Sequence, residues 1–395
     1  MNKDILMRRA AVACVAGALI SLSACGGDSG GDGGRAVDYQ NPGLSWPQKP
    51  AVAGHRGASA FRPEHTLAAY QRAIEDGADI VEPDLVITKD GILIARHENE
   101  ISGTSNVADK PEFASRKVTK QIDGIPITGW FTEDFTLAEI KTLRAKERIP
   151  ANRPVNATFD GQFEIPTLQE VIDLVKQQAN AKGRVIGIYP ETKHPTYFKS
   201  IGLPLERRLV DQLSAAGYRG KGAAVYIQSF ETAGLREIRG MTDMRIVQLI
   251  DNPLNTPAPN GTPRNAPYDS IAAGSKRTYA DMITPVGLKE IATYADVISP
   301  YKEVLIPRTA NNELGTPTSV IADAHAAGLK VHAFTFRPEN PFLPPSLRLP
   351  DVNSISQRGN MITEITAYLN AGLDGFFTDD PGQGRAAVDA FVSKK

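Results

Sequence analysis

The chain has 395 residues, 41% of them hydrophobic and 23% charged, and its 44 lysines and arginines nearly balance its 45 aspartates and glutamates. This composition is typical of a globular protein and provides enough apolar material for a large core. It lacks the strong positive charge that attracts nucleic acids or anionic membrane surfaces, so we expect no nucleic-acid partner.

Residues 1–24 have the pattern of a secretory signal. Basic residues precede an apolar segment that is too short to span a bilayer comfortably, and small residues follow it. The sequence LSAC, which ends at Cys25, resembles a bacterial lipoprotein box in which this cysteine is lipidated. The alternative is a soluble secreted protein with a coincidental cysteine at this position.

The segment after Cys25 is rich in glycine, and residues 25–48 are therefore interpreted as a flexible tether to a folded domain at residues 49–395. The only other cysteine, Cys14, lies inside the predicted signal, so the folded domain has neither disulfides nor a catalytic thiol. We expect an exported protein, anchored by its lipid on the periplasmic side of a membrane. Gly26 stands where an aspartate often retains lipoproteins in the inner membrane, which favours the outer membrane.

Short β-rich segments alternate with helical patterns from residue 51 onward. Between the first two, apolar residues follow a helical spacing, with Pro63 near the start and Gly77 just past the end. Repeated β–α units with eight strands predict an α/β fold of the (βα)8 TIM-barrel type, and an open doubly wound sheet is the alternative. The predicted strands are residues 51–57, 79–87, 184–191, 223–230, 244–250, 295–301, 330–336 and 374–379.

The chain is longer than the roughly 250 residues of a simple barrel of this type. Most of the excess lies in a long insertion after the second strand, at about residues 98–165, and smaller insertions occur at about 253–280 and 338–358. Long loops in a barrel usually form lids or walls of the functional site.

Two carboxylates interrupt the second strand, where Glu82 and Asp84 flank Pro83. Side chains two residues apart point to the same side of a strand, so the two carboxylates share one location and need compensation. Glu191, at the end of the third strand, supplies a third oxygen ligand. A hard divalent cation, Ca²⁺ or Mg²⁺, fits this set better than zinc, which usually recruits histidine or cysteine.

Further polar residues end the same strands, where barrel enzymes place their chemistry. His55 and Arg56 end the first strand, Lys193 follows the third, and His97 ends a short segment that is predicted to form a hairpin with the second. The positive charge of Arg56 and Lys193 suits an anionic substrate such as a phosphate ester. Structural alternatives remain, because Arg56 can pair with Glu64, and Lys193 can pair with a neighbouring carboxylate.

Several other residues at these strand ends have equally plausible structural roles. Phe230, Phe334 and Phe336 fit a hydrophobic core as well as a substrate wall. Asp379, in the sequence FFTDDP, is interpreted as a cap of the loop after the last strand.

The segments HRGASAFRPEHT, VEPDLVITKDGILIARHE, IYPETKHP and FTDDP resemble the glycerophosphodiester phosphodiesterase family, most closely its bacterial periplasmic branch. The resemblance covers roughly residues 50–393 and includes DFTLAEIKTL inside the long insertion. It implies a metal-dependent enzyme on a (βα)8 barrel that cleaves small-molecule glycerophosphodiesters into sn-glycerol 3-phosphate and an alcohol.

The resemblance also implies roles for individual residues. The second histidine in the HRGASAFRPEHT segment, His65, stands where many family members have asparagine, and this change removes no functional atom. The implied site comprises the metal ligands Glu82, Asp84 and Glu191, the catalytic histidines His55 and His97, and the substrate- or phosphate-binding residues Arg56, Glu64, Lys193 and Phe334.

In the family mechanism, the glycerol hydroxyl of the substrate attacks phosphorus and gives a cyclic phosphate, which water then opens. We assign His55 as the base and His97 as the acid, although the sequence does not fix which histidine has which role. Ca²⁺ is favoured as the cofactor, with Mg²⁺ as the second candidate. Two other functions stay open: a related phosphodiesterase that acts on intact phospholipids, and a surface-anchored binding or adhesive lipoprotein. The sequence gives no oligomeric state.

Overall fold

The computed structural model describes residues 38–351 and 354–394. The predicted signal, the predicted lipidation site Cys25 and most of the tether lie outside the described residues, so these assignments stay predictions. Within the described part of the chain, no helix is both long enough and apolar enough to cross a membrane.

Thirteen strands occur in the described residues, and eleven of them belong to one sheet. In chain order they are β1 Ala51–His55, β2 Ile80–Glu82, β3 Asp84–Ile87, β4 Leu93–Ala95, β5 Val118–Ile122, β6 Ile125–Gly129, β7 Gly187–Ile188, β8 Glu191–Thr192, β9 Tyr226–Ser229, β10 Arg245–Ile250, β11 Val297–Pro300, β12 Lys330–Phe336 and β13 Gly375–Thr378.

The sheet closes on itself as a parallel barrel with eight positions. β2 and β3 together form the second position, and β7 and β8 form the third; a proline lies between the two parts in each case, Pro83 and Pro190, and withholds a backbone donor. Parallel pairing runs from β1 through these positions to β13, which pairs with β1 again. β4 pairs antiparallel with β3, as the predicted hairpin requires. The predicted barrel is thus confirmed.

The helices follow the strands and cover the outside of the barrel. Gly77, Gly328 and Gly372 each lie just beyond a helix with a positive φ, a conformation that glycine adopts without steric cost. In chain order the helices are α1 Leu67–Glu75, α2 Leu137–Ile140, α3 Pro154–Ala157, α4 Leu168–Lys182, α5 Pro195–Ser200, α6 Glu206–Ala215, α7 Thr232–Arg239, α8 Tyr268–Ala272, α9 Tyr279–Met282, α10 Pro285–Ile291, α11 Lys302–Leu305, α12 Val320–Ala326, α13 Met361–Asn370 and α14 Pro381–Val392.

Two hydrophobic clusters reflect the alternation of side chains along the strands. Ala51 and Ala53 of β1 belong to a small cluster with the rings of Tyr189 and Phe377, which fills the barrel interior, whereas Val52 belongs to the large cluster between sheet and helices. Before the first strand, Trp46 packs against the interior cluster. The polar strand ends therefore lie above a closed apolar floor.

The long insertion lies between β4 and α4 and has its own secondary structure. Its β5–β6 hairpin turns at Asp123 and Gly124, which both have positive φ. The Gly124 carbonyl accepts hydrogen bonds from Asn260 and Thr262 in the loop after β10, at 2.6 Å and 3.0 Å. Two insertions that are far apart in sequence thus meet beside the carboxyl ends of the strands.

Candidate active site

Three buried carboxylates converge at the carboxyl ends of the second and third barrel positions. Glu82 ends β2, while Asp84 and Glu191 begin β3 and β8 and are paired in register. One oxygen of each residue lies within 4.8 Å of the others. The Pro83 interruption lets both acidic residues of the second position face this point.

The charges of these carboxylates are not balanced locally. Burial, reinforced by Asp84 and Glu191, raises the pKa of Glu82 well above its usual range. Burial also raises the pKa of Glu191 to about 8, against the opposing charge of Lys193. The buried Oδ1 atom of Asp84 has no hydrogen-bond partner among the described residues. A divalent cation bound by oxygen ligands would satisfy all three groups.

Neighbouring residues orient the carboxylates. The backbone N–H of Arg56 donates to Glu82 Oε2 at 2.7 Å, and the side-chain amide of Gln228 donates to Glu82 Oε1 at 3.0 Å. His65, which is fully buried, contacts Asp84 Oδ2 through Nε2 at 2.9 Å. Its other nitrogen lies 2.7 Å from the hydroxyl of Tyr70, which fixes the plane of the ring. His65 therefore supports one of the three candidate metal ligands, a role that the sequence did not indicate.

His55 is the last residue of β1, and its ring is held by a residue at the end of the neighbouring barrel strand. Its Nδ1 lies 2.5 Å from Asp379 Oδ1, and its Nε2 accepts a hydrogen bond from Arg56 Nε at 3.3 Å. Burial and the adjacent guanidinium lower the pKa of His55 to about 4, despite the opposing effect of Asp379. The imidazole is thus neutral near pH 7, and its Nε2 can act as a base when the hydrogen bond from Arg56 is exchanged for one from a hydroxyl group.

His97 lies on the other side of the carboxylate group. Its Nε2 is 3.5 Å from Lys193 Nζ, and Lys193 in turn forms an ion pair with Glu191 at 3.0 Å. Burial, together with Arg56 and Lys193, lowers the pKa of His97 to about 3. Both predicted catalytic histidines therefore face one central space in neutral form.

A hydrogen bond and two ion pairs connect His97 with the long insertion. Glu98 contacts His97 Nδ1 at 2.8 Å and His194 Nε2 at 2.9 Å, and His194 Nδ1 lies 2.6 Å from Asp123 at the tip of the β5–β6 hairpin. Although burial disfavours the charged ring, the two carboxylates raise the pKa of His194 to about 10. A cationic histidine thus fixes the insertion to the residue beside His97.

Arg56 lies at the centre of the predicted phosphate-binding group. Its Nη1 donates to both carboxylate oxygens of Glu64, at 3.0 Å and 3.1 Å, and its Nε lies 3.6 Å from Asp84. Glu64 also accepts from Arg148 of the insertion at 2.9 Å. Both oxygens of Glu64 are thus occupied by arginines, which favours the alternative that this residue positions Arg56. Its direct contact with substrate stays a prediction.

These groups surround a cavity of about 120 Å³. Phe334 lines the cavity, half-buried, and packs edge-on against Phe230 with the ring centroids 5.8 Å apart. Arg337 also lines it and reaches to 3.4 Å from Asp379. The predicted residues that line the cavity are His55, Arg56, Glu82, Asp84, His97, Glu191 and Phe334.

The interpretation of Asp379 as a loop cap is wrong. Its neighbour Asp380 caps α14 through a hydrogen bond from the backbone N–H of Gln383. Asp379 instead accepts from His55 and from Arg153, and the two arginines beside it hold its pKa well below the usual range. The pairing of Gly54 with Thr378 in the barrel brings the ends of β1 and β13 together, which a local reading of FTDDP could not reveal.

Sequence analysis also missed two arginines of the insertion. Arg148 reaches Glu64, and the buried Arg153 bonds Glu339 and Asp379 and donates to the carbonyl of Ser59. Neither arginine lies in a recognisable motif or at a spacing that predicts a role in the site. Their positions depend on how the insertion folds back over the barrel.

The arrangement combines the parts required for phosphodiester cleavage. One cavity is lined by the oxygen-rich candidate cation site, by an arginine for an anion and by two neutral imidazoles, and a lysine lies beside the second imidazole. Two histidines in this setting can accept and return protons during displacement at phosphorus.

Residues 55–383 match the model of the glycerophosphoryl diester phosphodiesterase family. The chain is 35% identical over 347 residues to a glycerophosphodiester phosphodiesterase of Arabidopsis thaliana, covering 85% of this chain and 84% of the relative. A glycerophosphodiester phosphodiesterase of Haemophilus influenzae is 29% identical over 354 residues, with coverage of 84% and 88%.

The fold is similar to that of an Oleispira antarctica phosphodiesterase, whose structure contains the product sn-glycerol-3-phosphate. The TM-score is 0.53 at 18% sequence identity, and the match covers 87% of this chain and 99% of the other. This likeness concerns the fold and agrees with the closed barrel. The extent of the family match and the similarity to the Arabidopsis relative establish that the chain belongs to the glycerophosphoryl diester phosphodiesterase family.

Proposed function

We propose that this enzyme hydrolyses glycerophosphodiesters to sn-glycerol 3-phosphate and an alcohol. One divalent cation, held by Glu82, Asp84 and Glu191, takes part; Ca²⁺ is favoured and Mg²⁺ is the second candidate. The observation that carries the proposal is the convergence of these three buried carboxylates with two neutral histidines on one small cavity. Membership of the family supplies the substrate class.

The residues present fit such a cation. The three ligands are oxygen donors, and one of them, Asp84, has a buried oxygen without a partner among the described residues. Oxygen-only sets suit Ca²⁺ and Mg²⁺ rather than zinc. When bound, the cation neutralises the carboxylates and stabilises the charge that develops on the phosphoryl oxygens.

Arg56 and Lys193 bind the phosphodiester from either side of the carboxylates. Arg56 is held by Glu64 and Asp84, and Lys193 by Glu191, so both cations are oriented before the substrate arrives. Such preorganised charges lower the barrier without reorganisation during the reaction. Phe334 packs against the carbon backbone of the glycerol.

His55 acts as the base and takes the proton of the attacking glycerol hydroxyl at Nε2. Asp379 accepts the Nδ1 proton, which keeps the lone pair on the nitrogen that faces the cavity and stabilises the imidazolium formed in the reaction. The hydroxyl attack closes a cyclic phosphate, and the intramolecular geometry supplies the large advantage of a preassembled nucleophile.

His97 acts as the acid and returns a proton to the departing alcohol. Burial, together with the positive charges of Arg56 and Lys193, keeps its pKa low. A bound phosphodiester anion offsets part of that positive charge and therefore favours the protonated form of His97. In the second step the roles reverse, and His97 removes a proton from the water that opens the cyclic phosphate.

The proposed reaction can be tested with glycerophosphocholine, glycerophosphoglycerol and an analogue that lacks the neighbouring hydroxyl. We expect both diesters to yield sn-glycerol 3-phosphate, with a transient cyclic phosphate visible by phosphorus NMR, and the deoxy analogue to be inert. Rapid hydrolysis of the deoxy analogue would contradict attack by the glycerol hydroxyl. The absence of hydrolysis of every glycerophosphodiester would support a binding-only lipoprotein, a function that the complete set of acid, base and ligand residues does not favour.

We also propose that the enzyme is exported and anchored as a lipoprotein on the periplasmic side, with an outer-membrane location. This rests on the basic and apolar start of the chain, the LSAC sequence and the glycine-rich segment after Cys25. Cys25→Ser should move the protein from the membrane to the soluble fraction, since a lipoprotein cysteine carries several acyl chains. Equal partitioning of both forms would contradict lipidation.

A further inference from the structure

A second cavity of about 330 Å³ adjoins the central one and shares Glu191 and Phe230 with it. The tip of the β5–β6 hairpin forms one wall through Asp123. The loop after β10, from Pro263 to Tyr279, forms another. This cavity lies directly beside the reacting phosphate of the proposed mechanism and is large enough for a small alcohol.

Three cationic side chains line this cavity: Arg264 is an exposed residue of the loop after β10, and the other two are already paired. Lys193 forms its ion pair with Glu191, and His194 lies between Glu98 and Asp123. Two carboxylates together outweigh the single charge of His194, so this part of the wall keeps a net negative charge at neutral pH.

Glu231, at the end of the fourth barrel strand, adds a buried carboxyl group. The residue is only 4% exposed, and its Oε2 accepts from the backbone N–H and the hydroxyl of Thr196. Its buried Oε1 has no hydrogen-bond partner in the part of the chain that the structure describes. Burial raises the pKa of Glu231 to about 8. An unpartnered buried carboxyl oxygen is costly, and a donor in the cavity would satisfy it.

Aromatic rings and one more acid complete the wall. Phe230 and Tyr279 pack edge to face with their centroids 6.4 Å apart, and Tyr268 lines the cavity beside them. Asp251 follows the fifth strand and accepts from the side-chain amide of Asn255 at 2.7 Å. Aromatic faces combined with carboxylates are the usual surroundings of ammonium groups in proteins.

The proposed acid lies on this side of the site. Lys193, whose Nζ is 3.5 Å from His97 Nε2, lines the second cavity, so an alcohol that takes a proton from this nitrogen lies at the entrance to the cavity. A third cavity of about 260 Å³ lies on the other side, and its charged lining residues are three cations, Lys302, Arg308 and Arg337, and one acid, Glu303. That basic wall does not suit a cationic group.

We propose that the second cavity binds the alcohol portion of the diester and selects alcohols that carry an ammonium group, such as choline or ethanolamine. Asp251, together with Glu98 and Asp123, supplies the negative charge, and Glu231 ionises when the ammonium charge binds beside it. The rings of Phe230, Tyr268 and Tyr279 contact the ammonium carbons. This inference rests on the proposed function, because it concerns the substrate specificity of the same active site.

The test compares kcat/KM for glycerophosphocholine and glycerophosphoethanolamine with that for glycerophosphoglycerol, whose alcohol is neutral. We expect the wild-type enzyme to prefer the cationic substrates by on the order of tenfold. Glu231→Gln and Asp251→Asn keep the shapes of the side chains and should each reduce this ratio, mainly through KM, while kcat/KM for glycerophosphoglycerol changes by less than about twofold.

Glu303→Gln is the matched control, because Glu303 lines the third cavity on the opposite side. It should leave the ratio unchanged. Inhibition of the wild-type enzyme by free choline, measured against free glycerol, gives a second readout that needs no variant, and choline should bind more tightly.

Equal kcat/KM for all three substrates, or a preference that survives both substitutions, would overturn the inference while leaving the proposed hydrolysis intact. No cleavage of any of the three substrates would overturn the proposed function and this inference together.

Discussion

The two catalytic histidines of the proposed mechanism are held by different parts of the molecule. His55 is fixed by Asp379, and both residues lie at the ends of adjacent barrel strands. His97 is fixed by Glu98, which is held by His194 and, through it, by Asp123 of the long insertion. One imidazole is thus positioned by the barrel itself, and the other by a chain of contacts that ends in a hairpin about 25 residues further along the sequence.

Solvent exposure differs accordingly. The side chains of His55 and Asp379 are 9% and 2% exposed, whereas those of His97 and Glu98 are 29% and 44% exposed. Water screens the exposed pair more strongly, so each contact in the His97 chain contributes less to its orientation. The barrel thus holds His55 in a buried, firmly fixed position, whereas the insertion holds His97 through weaker and more exposed contacts.

The largest effect should come from the cation site, which serves both histidines. Asp84→Asn removes a ligand charge and should lower kcat/KM by about 10⁴-fold, since several kcal/mol of transition-state stabilisation are lost. Chelation of the wild-type enzyme should have the same effect and lower its melting temperature, with recovery upon addition of Ca²⁺ or Mg²⁺. Full activity of the wild-type enzyme in excess chelator would contradict a metal ion on which both histidines depend.

Replacing either histidine should cost less than removing the cation. His55→Ala and His97→Ala should each lower kcat by on the order of 10²–10⁴-fold, the usual range for general acid–base groups. Added imidazole should restore more activity to His97→Ala than to His55→Ala, because the position of His97 is open to solvent. Equal rescue of both variants would show that exposure does not distinguish the two positions.

The partners of the histidines should give a smaller, graded effect. Asp379→Asn should lower kcat by about 10–100-fold and shift the pH profile, because the residue fixes the tautomer of His55. Asp123→Asn acts on His97 through two intervening residues and should lower kcat by only about threefold, with KM nearly unchanged. The reverse order of effects would mean that the insertion, rather than the barrel, controls the critical imidazole. Asp109→Asn, an exposed position of the same insertion, is the control.

The smallest predicted effect is the pH-dependent contribution of His194 to the free energy of unfolding. His194 has a folded-state pKa of about 10, against roughly 6.5 in an unfolded chain. The folded enzyme therefore binds an extra proton between these pH values, so the stabilisation by His194 is complete below about pH 6.5 and is lost as pH rises through 10. Because Glu98 is partly exposed, we expect a loss of only on the order of 1–2 kcal/mol.

Urea unfolding of the wild type and His194→Gln at pH 7 and pH 10 measures this effect. The difference in the free energy of unfolding between the two proteins should be larger at pH 7 than at pH 10. A difference that grows with pH would contradict a charged His194 in the link to the insertion.

Local patterns were sufficient where a residue acts from its own strand. The eight barrel strands, the hairpin before His97 and the convergence of Glu82, Asp84 and Glu191 follow from alternating apolar segments and from polar residues at strand ends. Parallel strands in a barrel must bring their carboxyl ends to one rim. Residues at the ends of different strands are therefore close in space even when they are far apart in sequence.

The sequence by itself thus determined the barrel and the meeting of three carboxylates at its rim, because hydrophobic periodicity is a local property of the chain and a barrel brings the ends of its strands together. Only the tertiary structure decided that Asp379 contacts His55, that Arg148 and Arg153 reach the rim from the insertion, and that Asp123 meets His194. These contacts join residues between about 70 and 325 positions apart, through loops whose paths depend on packing rather than on local preference.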